Sequence, residues 1–184
     1  MKQLPHVNLV PLEPSDREQF ITDNQKAFLY GAVEEFGLRD DHFEEGGEII
    51  SRKTIENAID GENAETYRIL YGGRYAGGVV LRIDKGNRRG DLELLYVNPE
   101  MHSMGIGYAA WLAIEAMHPE VDVWETCTPY FEKRNIHFYV NRCGFHIVEF
   151  FNAYHPDPHD PDLPDDRKQD EDFDGMFRFE KRIR

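Results

Sequence analysis

The chain of 184 residues reads as an α/β protein of the mixed α+β kind. It is expected to form one domain, in which a central, mostly antiparallel twisted sheet of about seven strands is flanked by about four helices. Three observations predict this. Short apolar runs of strand character alternate with helical patterns along the whole length. Gly72–Gly73 joins two of those runs as a hairpin. The run Leu92–Val97 passes through a glycine turn directly into a helix.

The elements follow in order. Asn8–Leu12 is a first strand. Ser15-Asp-Arg-Glu18 has the form of a capping box, so a helix should begin there and run towards Gly37, burying Phe20, Ala27 and Phe28. Arg39–Gly47 is polar and glycine-containing, hence a loop. Ser51 caps a short helix carrying Ile55, Ala58 and Ile59. Thr66–Tyr71 and Tyr75–Ile83 are the hairpin strands, Lys85–Gly90 a turn, and Leu92–Val97 the next strand. A helix from Gly107 to Met117, a strand Val121–Cys127, a helix Phe131–Cys143 and strands Phe145–Tyr154 and Met176–Ile183 complete the chain. No repeat or linker interrupts it, so residues 1–184 are expected to be a single domain.

Composition narrows the function. The net charge of −14 argues against a general nucleic-acid surface. No apolar run is long enough to span a bilayer and the N-terminus lacks an export pattern, so no membrane association and a cytoplasmic location are expected. Cys127 and Cys143 do not form a disulfide framework and are expected to be free, buried thiols. Charge is concentrated between His155 and Asp174, where eight Asp and Glu171 face only Arg167 and Lys168, a net of −7. Pro156, Pro158, Pro161 and Pro164 forbid regular structure there. This long acidic loop is either a solvated insert or a surface for a cation. His155 and His159 lie within it without a recognised ligand frame, so no metal is expected.

The segment Leu-Glu-Leu-Leu-Tyr-Val-Asn-Pro-Glu-Met-His-Ser-Met-Gly-Ile-Gly-Tyr, residues 92–108, carries the chemistry. The first N–H groups of a helix lack internal partners and sit at the positive end of the peptide dipoles. Gly105 and Gly107 remove the Cβ atoms that would hold a bulky anion away. Backbone N–H groups from Ser103 through Met104, Gly105, Ile106 and Gly107 to Tyr108 can thus cradle a pyrophosphate. The motif lacks the lysine of an ATPase loop and the third glycine of a dinucleotide fingerprint.

About thirty residues further on, Asn135-Ile-His-Phe-Tyr-Val-Asn-Arg-Cys-Gly-Phe145 closes an amphipathic helix that runs into a strand. Together the two segments resemble the GCN5-related N-acetyltransferase (GNAT) superfamily, whose members transfer an acyl group from acyl-coenzyme A. The resemblance covers nearly the whole chain in element order. It places His102, Gly105 and Gly107 on the family's pyrophosphate pattern, with His102 where the family has Gln or Arg. It aligns Tyr139, five residues before Gly144–Phe145, with the family's signature tyrosine. The main chain of Leu95, Tyr96 and Val97 would then lie along the pantetheine arm, and an N–H of that stretch would polarise the thioester carbonyl, a role worth about 3–4 kcal/mol per donor. Asn135 is a candidate for the pantetheine amides, although Glu132 stands in the more usual frame.

The resemblance implies acetyl-CoA as co-substrate, no metal, and direct attack by a primary amine in a ternary complex. Tyr139 would protonate the leaving thiolate, since a phenol with a pKa of about 10 is protonated at neutral pH; the alternative is a packed tyrosine. An ammonium group leaves only about 0.04% free amine at pH 7, so a base is useful. Strand alternation puts Asp91, Glu93, Leu95 and Val97 on one face. Glu93 is the first candidate, followed by Asp91 and Glu125. In the family the acceptor lies near the loop between the last two strands, here the acidic one, so a cationic small-molecule or peptide amine is expected. Trp124 and Tyr130 either line that cleft or pack the core. Relatives in this family are frequently dimers, which leaves a homodimer open. The competing reading is a non-catalytic acyl-CoA sensor or an interaction protein on the same fold.

Overall fold

A computed structural model describes residues 4–31, 33, 49–158 and 175–183. The chain divides into two compact units, 1–121 and 122–184. The first contains β1 (Asn8–Pro11), α1 (Arg17–Tyr30), α2 (Arg52–Ile59), β2 (Ala64–Tyr71), β3 (Arg74–Asp84), β4 (Arg89–Val97) and α3 (Ile106–Met117). Its strands pair in the order β1-β2-β3-β4, each antiparallel to its neighbour. The hairpin forms at Gly72–Gly73, whose φ values of 58° and 77° are what a two-residue turn matched to strand twist requires. The next turn is held by the Asp84 carboxylate, which accepts from the Asn87 backbone at 3.0 Å and from its side chain at 2.7 Å.

Helix starts divide. Ser51 caps α2, its Oγ accepting from the Thr54 amide at 3.1 Å. The expected capping box at Ser15–Glu18 does not form. Pro14 opens a single 3-10 turn, Asp16 becomes the N-cap, and its side chain makes no cap bond. Both carboxylates have stronger partners: Asp16 accepts from Arg68 at 2.6 Å and Glu18 from Arg52 at 2.6 Å. The expected end of α1 near Gly37 and the loop Arg39–Gly47 lie outside the described residues.

Two apolar clusters sit on this sheet. Phe20, Ile21 and Ala27 of α1 and Ile55 of α2 pack with Val80, Leu94 and Tyr96. Val7, Ile69 and Ala76 pack with Ile106, Ala109 and Ala110 of α3, joined by Leu95 and Val97. Successive residues of β4 therefore belong to different clusters, and burying each large side chain contributes about 1.5–3 kcal/mol. The alternation read from the sequence holds along β4, while its pairing with β3 slips once. Val80 pairs with Leu94 and Leu81 with Leu92, so Glu93 is an extra residue, a β-bulge.

The second unit contains β5 (Val123–Pro129), α4 (Lys133–His137), β6 (His146–Phe151) and β7 (Met176–Arg182), paired antiparallel in the order β5-β7-β6. The expected continuous helix from Phe131 to Cys143 is not regular. Beyond His137 it widens into a π-helical turn over Phe138–Cys143, ending at Gly144 with φ 81°. The carbonyl of Tyr139 accepts from the amides of Gly144 and Phe145, the latter at 2.9 Å. β6 ends at Phe151, short of the expected Tyr154, because Asn152 and His155 turn back on each other. Cys143 is buried as expected, but Cys127 is exposed, and neither is in a disulfide. Most of the acidic loop, residues 159–174 with His159, lies outside the described residues.

Candidate active site

The turn after β4 is built from unusual backbone. Pro99–Met101 forms a 3-10 turn, Ser103 has φ 63°, and Gly105, the N-cap of α3, has φ 81°. A Cβ on Gly105 would meet Pro5 Cδ at an ordinary 3.4 Å, so the left-handed backbone rather than lack of space selects glycine. No side chain caps α3. Its first-turn N–H groups lie at the positive end of the helix and receive no side-chain oxygen from the N-cap residue, which is glycine. Ile106 is 1% exposed and anchors the helix start against the cluster that holds Leu95 and Val97. A glycine corner, an uncapped N-terminus and a fixed strand end suit a diphosphate. Met104 projects into solvent.

His102 occupies a different position from a free anion ligand. Its Nε2 lies 2.8 Å from the carbonyl oxygen of Val97, and its ring meets the edge of Tyr30 at 5.4 Å between centroids. The carbonyl can only accept, so this nitrogen carries the proton. His102 ties the turn to the end of β4.

Among the base candidates, Glu93 is partly buried and pairs with Arg82 at 2.8 Å. Asp91 lies directly opposite Arg82 in the ladder. Glu125 is held by Arg178 at 2.5 Å, and Arg178 also binds Glu149 at 2.9 Å. Glu149 in turn accepts from His155 at 2.8 Å. Glu125 is thus a member of an ion-pair network on β5, β6 and β7.

Tyr139 is buried, its ring 5.5 Å from that of Phe179 and 5.7 Å from that of Phe145. Burial pushes its phenol above the ordinary range, opposed by a hydrogen bond from Thr126. The hydroxyl is therefore fully protonated at neutral pH. Asn135 donates to Glu132 at 2.9 Å and lies 3.5 Å from Thr128. It braces the start of α4 against β5. Trp124 is fully buried and belongs to the core, whereas Tyr130 is exposed and packs edge-on against Phe131 and Phe150.

Residues 29–145 match the model of the acetyltransferase (GNAT) family. The chain belongs to this acetyltransferase family. Its likeness to the GNAT proteins extends well beyond that segment. A Bacillus subtilis (strain 168) relative, the uncharacterized protein YrkN, is 44% identical over 186 residues, covering 98% of this chain and 95% of its own. Among solved GNAT structures, the ribosomal-protein-S18-alanine N-acetyltransferase of Escherichia coli superposes with a TM-score of 0.64 at 15% identity, covering 97% of this chain and 94% of its own. The spermidine N-acetyltransferase of Vibrio cholerae, in complex with CoA and spermine, gives 0.62 at 13% identity, covering 96% and 95%. These likenesses show a GNAT fold across the chain.

Sequence reasoning missed two features of this GNAT chain. The first is Thr126, which hydrogen-bonds Tyr139; a threonine in a strand carries no signal of its own. The second is Arg68, 1% exposed, whose guanidinium contacts Asp16, Asp23 and the Tyr96 hydroxyl. An arginine within Thr66–Tyr71 reads as solvent-facing until its carboxylate partners on α1 are known.

Proposed function

We propose that this chain is an acyl-CoA-dependent N-acyltransferase, residues 1–184 acting as one acetyltransferase domain that moves acetyl from acetyl-CoA to a primary amine of a cationic acceptor. The observation that carries this reading is the uncapped N-terminus of α3 behind a left-handed Gly105, a diphosphate cradle at the end of β4. Acetyl-CoA supplies an activated thioester; the residues supply position, polarity and protons. Amides between Ser103 and Tyr108 bind the diphosphate. Main-chain groups of Leu95, Tyr96 and Val97 align the arm, and the bulge at Glu93 takes part of β4 out of its pairing with β3. An N–H of this stretch polarises the carbonyl. Glu93, directly or through water, takes the ammonium proton, and Tyr139 gives its hydroxyl proton to the departing sulfur. Asn135 supports the arm from the start of α4.

The acceptor's charge is inferred from the acidic stretch His155–Asp174, and a spermine-bound fold relative supports a polyamine among such acceptors. The chain is expected to act in the cytoplasm; none of the described helices is long and apolar enough to cross a membrane. A second reading, an acyl-CoA sensor, is favoured by His102, whose ring is committed to Val97. Thiol release from acetyl-CoA with a panel of amines separates the two. Release with polyamines or lysine-like amines supports transfer; CoA binding without release under every acceptor makes the protein a sensor.

A further inference from the structure

Arg68, Gly78 and Tyr96 stand in one row across three strands: Arg68 pairs with Gly78 and Gly78 with Tyr96. The middle position has no side chain. A Cβ there would lie 2.3 Å from Phe20 Cε2 and 2.7 Å from Tyr96 Cε1. The gap lets the guanidinium reach across β3 to the Tyr96 hydroxyl at 2.9 Å. The same guanidinium is gripped by Asp16 at 2.6 Å and Asp23 at 2.9 Å, both from the α1 region. It lies over the rings of Phe20 and Tyr75, 5.2 and 4.7 Å from their centroids. Tyr96 is 4% exposed and packs edge-on against Phe20 at 5.5 Å.

Burying a guanidinium is costly, and for stability alone an apolar side chain of similar size often serves as well. What the charge adds is direction: a planar fork with fixed donor angles locates its partners in a way an apolar contact does not. Here one fork locates α1 through two carboxylates and β4 through one phenol. The anchored residue follows the bulge at Glu93 by three positions, in a stretch whose register the bulge has interrupted.

We propose that Arg68 is a positioning residue, setting the place of the Leu95–Val97 main chain through the Tyr96 hydroxyl and across the side-chain-free row at Gly78. This rests on the reading of Leu95–Val97 as the stretch beside the acyl donor's arm. Arg68 touches no reacting atom; it acts through β4.

The test compares Tyr96→Phe, Arg68→Met, Arg68→Lys and the Tyr96→Phe/Arg68→Met double variant, by amide hydrogen exchange and by steady-state kinetics with acetyl-CoA and spermine. Positioning predicts exchange about tenfold faster at Leu95, Tyr96 and Val97 in each variant, with Ile69 and Val79 unchanged. It predicts kcat lower by about 10- to 100-fold with KM for acetyl-CoA little changed. Lys keeps the charge but lacks the fork, so it should fall with Met. The double variant should be no worse than the worse single one, because both break one connection. Unchanged exchange at 95–97 in Tyr96→Phe, which removes a single oxygen and keeps the fold testable if Arg68→Met unfolds, overturns the proposal. So does a uniform rise in exchange over β2–β4 in every variant. If the parent protein releases no thiol with any amine, the transfer reading fails, and exchange at 95–97 still decides the role of Arg68.

Discussion

His102 Nε2 donates to the Val97 carbonyl oxygen across 2.8 Å, closing the loop between β4 and α3 on itself. A residue in the family's pyrophosphate frame thereby becomes a brace for the backbone of the proposed cradle. His102→Leu removes the donor and His102→Gln keeps one. Calorimetry should show a CoA Kd about fivefold weaker for Leu, the net worth of one hydrogen bond, and nearly unchanged for Gln. Equal weakening by both would show that the ring's packing on Tyr30, not its donor, matters.

Gly105→Ala places a Cβ on a residue with φ 81°. The left-handed backbone costs a non-glycine residue about 1–2 kcal/mol. The expected result is a lower Tm together with weaker CoA binding. A lower Tm with unchanged CoA affinity would remove this corner from the binding site.

Tyr139→Phe deletes one hydroxyl from a buried ring. Turnover should fall by about 10²-fold while CoA affinity holds. Equal turnover in the two proteins would make Tyr139 a packing residue.

Burial also gives the tyrosines a signature in stability. Desolvation raises the phenols of Tyr67, Tyr96 and Tyr139 above their ordinary value. The folded state resists ionising them, so their contribution is complete below about pH 10 and is lost as pH rises beyond it. Carboxylates run the other way. Glu149 is lowered by His155 and Arg178, and Glu120 by its hydrogen bond from His118. Their contribution is present above about pH 4.5 and is lost as pH falls below it. Thermal unfolding against pH should therefore show a plateau with both edges, the alkaline edge moving upward in Tyr139→Phe.

Glu93→Gln tests the base. Its loss should abolish the acidic limb of the pH–rate profile with cationic acceptors. An acidic limb unaltered by Glu93→Gln assigns the proton to another group.

Much of this protein was legible in the order of its residues. The hairpin at Gly72–Gly73, the Ser51 cap and the alternation of β4 are local: each depends on backbone conformations or side-chain periods that neighbouring residues settle among themselves. The glycine corner at 105 is local in the same sense, whereas Tyr139 stands out through the resemblance to the GNAT family. Folding reassigned the groups whose partners are remote in sequence. Glu18 left the expected capping box for Arg52, and Asp16, the N-cap that forms instead, turned its carboxylate to Arg68. Glu125 went to Arg178 and His102 to the Val97 carbonyl. The bulge at Glu93 and the π-helical turn at Tyr139 belong to the same class, since each adds a residue to a regular element with no change in its hydrophobic pattern. Sequence alone determined which segments become strands and helices and where the chain turns at a glycine corner, because those follow from period and backbone freedom. Tertiary structure decided which polar groups are spent on holding the fold, because that choice depends on which charges folding brings within reach of each other.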